Sequence, residues 1–337
     1  MDTTIKWGIL GTGGIAHAFA TALMDTPGAE LVAIGSRSMA SAEKFGAQFG
    51  SPRSYGSYED LCSADGVDII YIGTPHTIHA DNAVLALNGG KAVLCEKPFA
   101  MNLQEANRVV SLAREKKLFL MEAMWTRYMP ALAELRRIVA SGEVGVPRQL
   151  HADFGFLAPT DPEHRVNKLS LGGGALLDLG IYPLSIAAAV MGPVSQVQAL
   201  ADMSATGVDA QTGFTLLHAA GGMSVCSCSM LARMTNELTV FGSLGRVRMD
   251  TMFHRSPSVT VTLLNGETRT IATPYLGNGY VHEAMEAGRC LRAGLVESPG
   301  MTLDETLALM KVLDTIRAQI GLRYPSDVQN SVDKNSL

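Results

Sequence analysis

The sequence predicts a two-domain α/β chain. A doubly wound parallel sheet is expected over residues 1–125 and an α+β domain with a large, mostly antiparallel sheet over residues 126–330. Three observations predict this. Between residues 5 and 125, short apolar runs alternate with helical spacing, as in a parallel sheet covered on both faces. From "RQLHADFGF" (148–156) onward, runs of alternating apolar and polar residues follow one another with few helices between them, the pattern of antiparallel strands. The length of 337 residues suits two domains.

The composition narrows the function classes. With 47% hydrophobic and 18% charged residues the chain has material for a sizeable core. The net charge of −5 gives no general attraction to nucleic acid or anionic lipid, so neither partner is expected. The five cysteines are scattered and follow no zinc-ligand spacing. They are expected to be reduced and buried, including Cys226 and Cys228 on one strand face. The N-terminal "MDTTIKWGILGTGG" lacks a basic leader, and no apolar run of about 18 residues is evident. A cytoplasmic location without a membrane span is expected.

The first elements read in order. "IKWGIL" (5–10) is a strand, "GTGGIA" (11–16) a glycine turn, and "HAFATALMD" a helix with Phe19, Leu23 and Met24 at helical spacing. In the G-x-G-x-x-A pattern, Gly11 makes the tight turn, Gly13 lets a pyrophosphate approach the backbone, and Ala16 allows close helix–strand packing. The free N–H groups and positive dipole end of the helix face the same anion. Gly11, Thr12, Gly13, Gly14 and Ile15 are therefore expected to bind a dinucleotide on a Rossmann-type sheet. The second strand, "LVAIGSR" (31–37), ends in Ser36, Arg37 and Ser38 and not in an acid. A guanidinium flanked by hydroxyls suits a 2′-phosphate, which favours NADP over NAD. "VDIIYIGTP" (67–75) brings Thr74, Pro75, His76 and His79 to the carboxyl edge of the sheet, where ligands bind in such folds. Two histidines without a third ligand nearby point to hydrogen bonding beside the cofactor and not to a metal.

"KAVLCEKP" (91–98) raises a sharper question, because Glu96 and Lys97 end a hydrophobic strand just before a proline. A residue preceding proline is pushed out of helical geometry, so the Lys97 ammonium is aimed at the cofactor edge. Glu96 either pairs with Lys97 or reaches the ribose. "LFLMEAMW" (118–125) is a further strand, after which Trp125 and Arg127 reach the same edge; Trp125 either stacks on a ligand ring or packs the core. A helix over 131–145 precedes the second domain's strands, with Leu150, Ala152, Phe154 and Phe156 on one face of the first of them. Within "LSLGGGALLDLGIYPLSIAAAVMG" (169–192), a helix starting near Ala175 would place Asp178 and Tyr182, four apart, on one face. A tyrosine hydroxyl, with an ordinary pKa near 10, becomes an effective acid/base beside a lysine. Asp178 either holds a substrate hydroxyl, orients the partner charges or serves the glycine turn. Arg165, in "EHRVNKLSLGGG", is placed near cofactor or substrate, and the loop 156–168 is expected to close over the site.

The glycine turn, "EKP" (96–98) and "GGGALLDLGIY" (172–182) together resemble the Gfo/Idh/MocA family of NAD(P)-dependent oxidoreductases. "YGSYEDL" (55–61), "LFLMEAMWTRYMP" (118–130) and "YVHEAMEAGRCLRAGLVESP" (280–299) are most similar to the branch of dimeric dihydrodiol dehydrogenases and NADP-dependent D-xylose 1-dehydrogenases. The resemblance covers almost the whole chain. It implies catalytic roles for Lys97, Asp178 and Tyr182, and a homodimer formed through the C-terminal sheet. It also implies an NADP-dependent reaction on a sugar, polyol or dihydrodiol. An NAD-dependent inositol-type or anhydro-sugar enzyme and a non-catalytic NADP-binding regulator are the alternatives.

Overall fold

The computed structural model describes residues 3–327. They form two compact units, one of residues 3–125 with 276–307, the other of residues 126–275 with 308–327. The first break falls at Trp125. Residues 276–307 belong with the first unit, however, and not with the rest of the expected 126–330 segment.

The first unit is built on six strands: β1 (Ile5–Leu10), β2 (Ala29–Gly35), β3 (Arg53–Tyr55), β4 (Ile69–Ile72), β5 (Ala92–Glu96) and β6 (Leu120–Ala123). They are all parallel, in the order β3-β2-β1-β4-β5-β6, the doubly wound order of a dinucleotide-binding sheet. Helices α1 (Gly14–Met24), α2 (Met39–Gly46), α3 (Tyr58–Cys62), α4 (His79–Asn88) and α5 (Leu103–Lys116) connect them. The central strands are apolar because both faces are covered: every residue of β4 and β5 is buried. Phe19 of α1 lies flat on Tyr71 of β4, with ring centroids 3.8 Å apart, and meets Trp7 of β1 at 5.3 Å. Met24, expected on the same helical face, is exposed instead, at the last residue of α1. Asn102 caps α5 by accepting the Glu105 N–H, and the Glu105 carboxylate accepts the Met101 N–H in return, a reciprocal capping that fixes where the chain leaves the "EKP" segment.

The second unit contains α6 (Pro130–Ala140), β7 (Pro147–Gly155), α7 (Ile181–Met191), β8 (Val194–Met203), β9 (Asp209–His218), β10 (Met223–Ser229), β11 (Leu238–Gly242), β12 (Gly245–Met249), β13 (Ser258–Leu263) and β14 (Thr268–Ala272). Pro130 occupies the first turn of α6, where its missing N–H costs nothing. That helix ends at Ala140, not at residue 145. The eight strands run β14-β13-β12-β11-β7-β10-β9-β8, antiparallel except for the β7–β10 pair. One face is buried, with Leu150, Ala152 and Phe154 of β7 beside Cys226 and Cys228 of β10. Phe156, expected to continue that face, falls beyond the end of β7 and is exposed. The opposite face carries exposed Leu200, Leu217, Met223 and Val225. Its register brings Leu217 opposite Met223, and Val225 opposite His151. A groove of about 350 Å³ on this face is lined by His151, Asp153, Ser227, Glu237 and Phe241 among others. The chain then returns through α8 (Val281–Arg292) and α9 (Leu303–Ile320).

All five cysteines are buried and unbridged. Among the described residues, one helical stretch, Leu169–Met191, is long and apolar enough to cross a membrane, contrary to the sequence expectation. Its most apolar window is 83% buried inside the protein, which makes it a core helix.

Candidate functional site

In the first unit the residues singled out in the sequence gather where the strands end. β1 runs into Gly11, whose φ of +109° and tight approach to the Gly73 carbonyl (2.9 Å from an added Cβ) leave room for no side chain. At Gly13 and Gly14, by contrast, an added Cβ would project into open space, with no neighbour within 4 Å. Gly13 is also the N-cap of α1 and offers no side-chain cap to the first-turn N–H groups. An open cradle above uncapped amides is what a pyrophosphate requires, so these residues fit a dinucleotide. The Thr12 and Ser36 hydroxyls are 3.4 Å apart, linking the turn to the end of β2. β2 stops at Gly35, one residue before buried Ser36. Arg37 is exposed, and Ser38 caps α2 by accepting the Ser41 N–H. Ser38 is therefore committed to the backbone through its oxygen.

After β4, Thr74 is buried; its hydroxyl accepts from Asn82 Nδ2 at 3.0 Å. His79 Nε2 lies 2.8 Å from the Thr74 carbonyl and Nδ1 lies 2.9 Å from the Pro98 carbonyl. The ring thus straps the turn after β4 to the turn after β5. Burial lowers the His79 pKa, against the opposing pull of the two carbonyls. His76 is buried, with its ring stacked 5.9 Å from that of His79, and Pro75 is exposed. Among the described residues, no group of three His, Cys, Asp or Glu side chains could hold a metal.

Glu96, at the end of β5, is buried and held on both oxygens. The Tyr71 hydroxyl donates to Oε1 at 2.6 Å, and the Lys97 backbone N–H donates to Oε2 at 3.1 Å. Lys97–Pro98 is a cis peptide. Burial, then the neighbouring Glu96 charge, drives the Tyr71 phenol well above its ordinary pKa. Glu283 of α8, fully buried and near Glu96, is likewise pushed well above the carboxylate range, chiefly by burial. Trp125 is buried and stacks on Tyr280, with centroids 4.5 Å apart, so it packs on a side chain of its own unit.

In the second unit the glycine run leads into one segment. Residues Leu176–Gly180 form a π-helical turn that continues directly into α7. Its hydrogen bonds run five residues along the chain and not four, so the regular α-helix expected from Ala175 is replaced by a wider turn at Asp178. Such turns recur at functional sites. Asp178 and Tyr182 are each only 6% exposed. Arg165 reaches the Asp178 carboxylate, 3.2 Å from Oδ2, so the 156–168 loop is tied to this segment at Asp178. The Phe154 ring meets Tyr182 edge-on at 5.1 Å and lies 4.7 Å from His254, itself 6.0 Å from Tyr182. Arg127 is buried and donates from Nε to the Ser185 hydroxyl at 2.9 Å, three residues beyond Tyr182.

The structure thus groups the predicted residues in two sets. Gly11–Ile15, Ser36–Ser38, Thr74–His76, Glu96 and Lys97 lie at the carboxyl ends of the first sheet. Asp178 and Tyr182, with Arg165, lie on the π-turn and α7 of the second unit. Sequence reasoning missed His254, Asp209 and Tyr324, which approach this segment from distant parts of the chain.

A parallel sheet of this order with an open glycine cradle fits a dinucleotide-binding fold. Residues 5–124 match the model described as "Oxidoreductase family, NAD-binding Rossmann fold", and residues 132–248 match the GFO/IDH/MocA C-terminal domain. The chain belongs to the Gfo/Idh/MocA family, and is an NAD(P)-dependent dehydrogenase or reductase acting on CH–OH groups. It is 37% identical to the trans-1,2-dihydrobenzene-1,2-diol dehydrogenase of Danio rerio, over 96% of this chain and 99% of that one. To the Mus musculus protein of the same name it is 35% identical, with the same coverage. Among solved structures, a 3-ketoreductase from Actinomadura kijaniata with NADP and TDP-benzene superposes with a TM-score of 0.83 at 26% identity, covering 94% of this chain and 98% of that one. An aldose-aldose oxidoreductase from Caulobacter crescentus gives a TM-score of 0.84 at 26% identity, with 94% and 97% coverage.

Proposed function

We propose that the protein is an NADP-dependent dehydrogenase of a trans-dihydrodiol or a cyclic polyol or sugar, interconverting a secondary alcohol and its carbonyl. The observation that carries this reading is the pairing of buried Asp178 and Tyr182 on one segment, with aromatic rings against the phenol. When bound, the nicotinamide supplies the two-electron acceptor or donor for hydride. Tyr182 takes the hydroxyl proton as the substrate carbon is oxidised, and returns it in the reverse direction. Lys97, next to the Pro98 whose carbonyl His79 holds, is assigned the positive charge that favours the phenolate. Asp178, held by Arg165, orients the substrate hydroxyl. Glu96, held by the Tyr71 hydroxyl and the Lys97 N–H, fixes the backbone at Lys97. The exposed Arg37 guanidinium beside Ser36 and Ser38 supports a 2′-phosphate and hence NADP. The relatives named for trans-dihydrobenzenediol support the dihydrodiol as substrate. The exposed apolar side chains on the open face of the second sheet support a homodimer formed there.

The test is Tyr182→Phe. Loss of an acid/base group costs about 10²- to 10⁴-fold in turnover, while NADP affinity, measured by calorimetry, stays unchanged. Wild-type turnover in that variant overturns the assignment.

A further inference from the structure

The first amide of the π-turn that carries Asp178 is not capped by its own segment. Ala175, its N-cap, makes no side-chain cap, so the amides of the first turn need partners from elsewhere. One comes from 33 residues away: the Leu176 N–H donates to Asp209 Oδ2 at 2.7 Å, and the same oxygen accepts from the Thr212 hydroxyl at 2.7 Å. Asp209 is the first residue of β9 and is fully buried. From the other side, Tyr324 donates its hydroxyl to the Gly173 carbonyl at 2.7 Å. Tyr324 is buried beneath the Arg317 guanidinium, 5.3 Å from its ring, and Arg317 is itself anchored by Asp314 and Asp327. Between these two anchors sits Gly174, with φ of +126°, where an added Cβ would stand 2.2 Å from Asp209 Oδ1 and 3.2 Å from the Tyr324 hydroxyl.

We propose that Asp209 and Tyr324 are positioning residues for the reaction: they clamp residues 173–176 from two sides and so set where Asp178 and Tyr182 stand. This rests on the catalytic reading of Asp178 and Tyr182. Neither clamp residue belongs to the cofactor-binding unit, and each acts on backbone groups of the segment that leads into the site. A misplacement of about 1 Å costs about 100-fold in rate, which sets the size of the effect.

The test compares Asp209→Ala, Asp209→Asn and Tyr324→Phe with Tyr182→Phe in the full-length protein, using steady-state kinetics, NADP⁺ binding by calorimetry and hydrogen exchange by mass spectrometry. Asp209→Ala is expected to lower kcat about 100-fold with unchanged NADP⁺ affinity. Faster exchange should be confined to the peptides around residues 172–184. Asp209→Asn, which keeps an acceptor oxygen, should recover most of that loss. Tyr324→Phe keeps the ring and removes only the hydroxyl, so it decides the matter if Asp209→Ala does not fold. Normal kcat in a folded Asp209→Ala or Tyr324→Phe variant, alongside an inactive Tyr182→Phe, refutes the clamp and leaves the catalytic reading standing. Normal kcat in all of them, Tyr182→Phe included, refutes the catalytic reading and the clamp with it. A loss that comes with exchange rising throughout the protein also refutes the clamp, because it marks a merely structural role.

Discussion

Replacing Asp209 by asparagine has a consequence for stability whose size follows from its burial. Asp209 accepts from the Leu176 N–H and the Thr212 hydroxyl, both on Oδ2, while among the described residues no donor reaches its buried Oδ1. Burial raises its pKa from an ordinary 3.8 to about 6, against the lowering effect of the Thr212 hydroxyl and the Leu176 N–H. The folded state therefore binds its proton more tightly than the unfolded chain does. The sign follows: the contribution is fully present below about pH 4 and is lost as pH rises through about 6. At about 1.36 kcal/mol per pH unit, the loss between those limits is about 3 kcal/mol. Asparagine stays neutral throughout, so its stability lacks this step. Calorimetric unfolding of wild type and Asp209→Asn between pH 3 and 7 should show the difference moving by about 3 kcal/mol in favour of asparagine as pH rises. A difference that stays flat over that range refutes a buried, titrating Asp209.

Other expectations are simpler to check. Gly174→Ala forces a Cβ onto Asp209 Oδ1 at a positive φ, and should destabilise by about 2–5 kcal/mol through strain and overpacking together, read as a lower melting temperature. Arg37→Asp should shift the ratio of dissociation constants from NADP⁺ towards NAD⁺, and an unchanged ratio removes Arg37 from the phosphate site. The five cysteines are buried, and burial pushes the Cys62 and Cys290 thiols up to about 12. A thiol reagent at pH 8 should therefore label none in the folded protein and all five after denaturation; fast labelling of the native state contradicts this.

Much of the fold can be read from local pattern. The run from "IKWGIL" into "GTGGIA" carries its own strand, turn and helix signals, and β1 and α1 appear where those signals stand. β3 has three residues at the sheet's edge, too few for a period to register. β14 buries none of its five residues, so no apolar alternation marks it. The first unit's reclaiming of α8 is equally hidden, since helical spacing says nothing about which sheet a helix covers. The candidate site divides in the same way. Lys97 and Tyr182 stand in compact motifs and are visible at once. The π-turn at Leu176–Gly180 is not, because its first amide is capped by Asp209 from β9 and its approach is fixed by Tyr324, about 150 residues on. Spacing rules assume that a helix is set by its own residues. Here partners far along the chain set it.

The most direct test of the account is reduction of nicotinamide by the wild-type protein. NADP⁺ and, separately, NAD⁺ are mixed with a trans-dihydrodiol, D-xylose, D-glucose and myo-inositol, and the absorbance of reduced nicotinamide is followed. NADPH should form with the trans-dihydrodiol or a sugar of this panel, and NAD⁺ should be reduced more slowly. Binding of NADP⁺ without reduction by any member of the panel would contradict this.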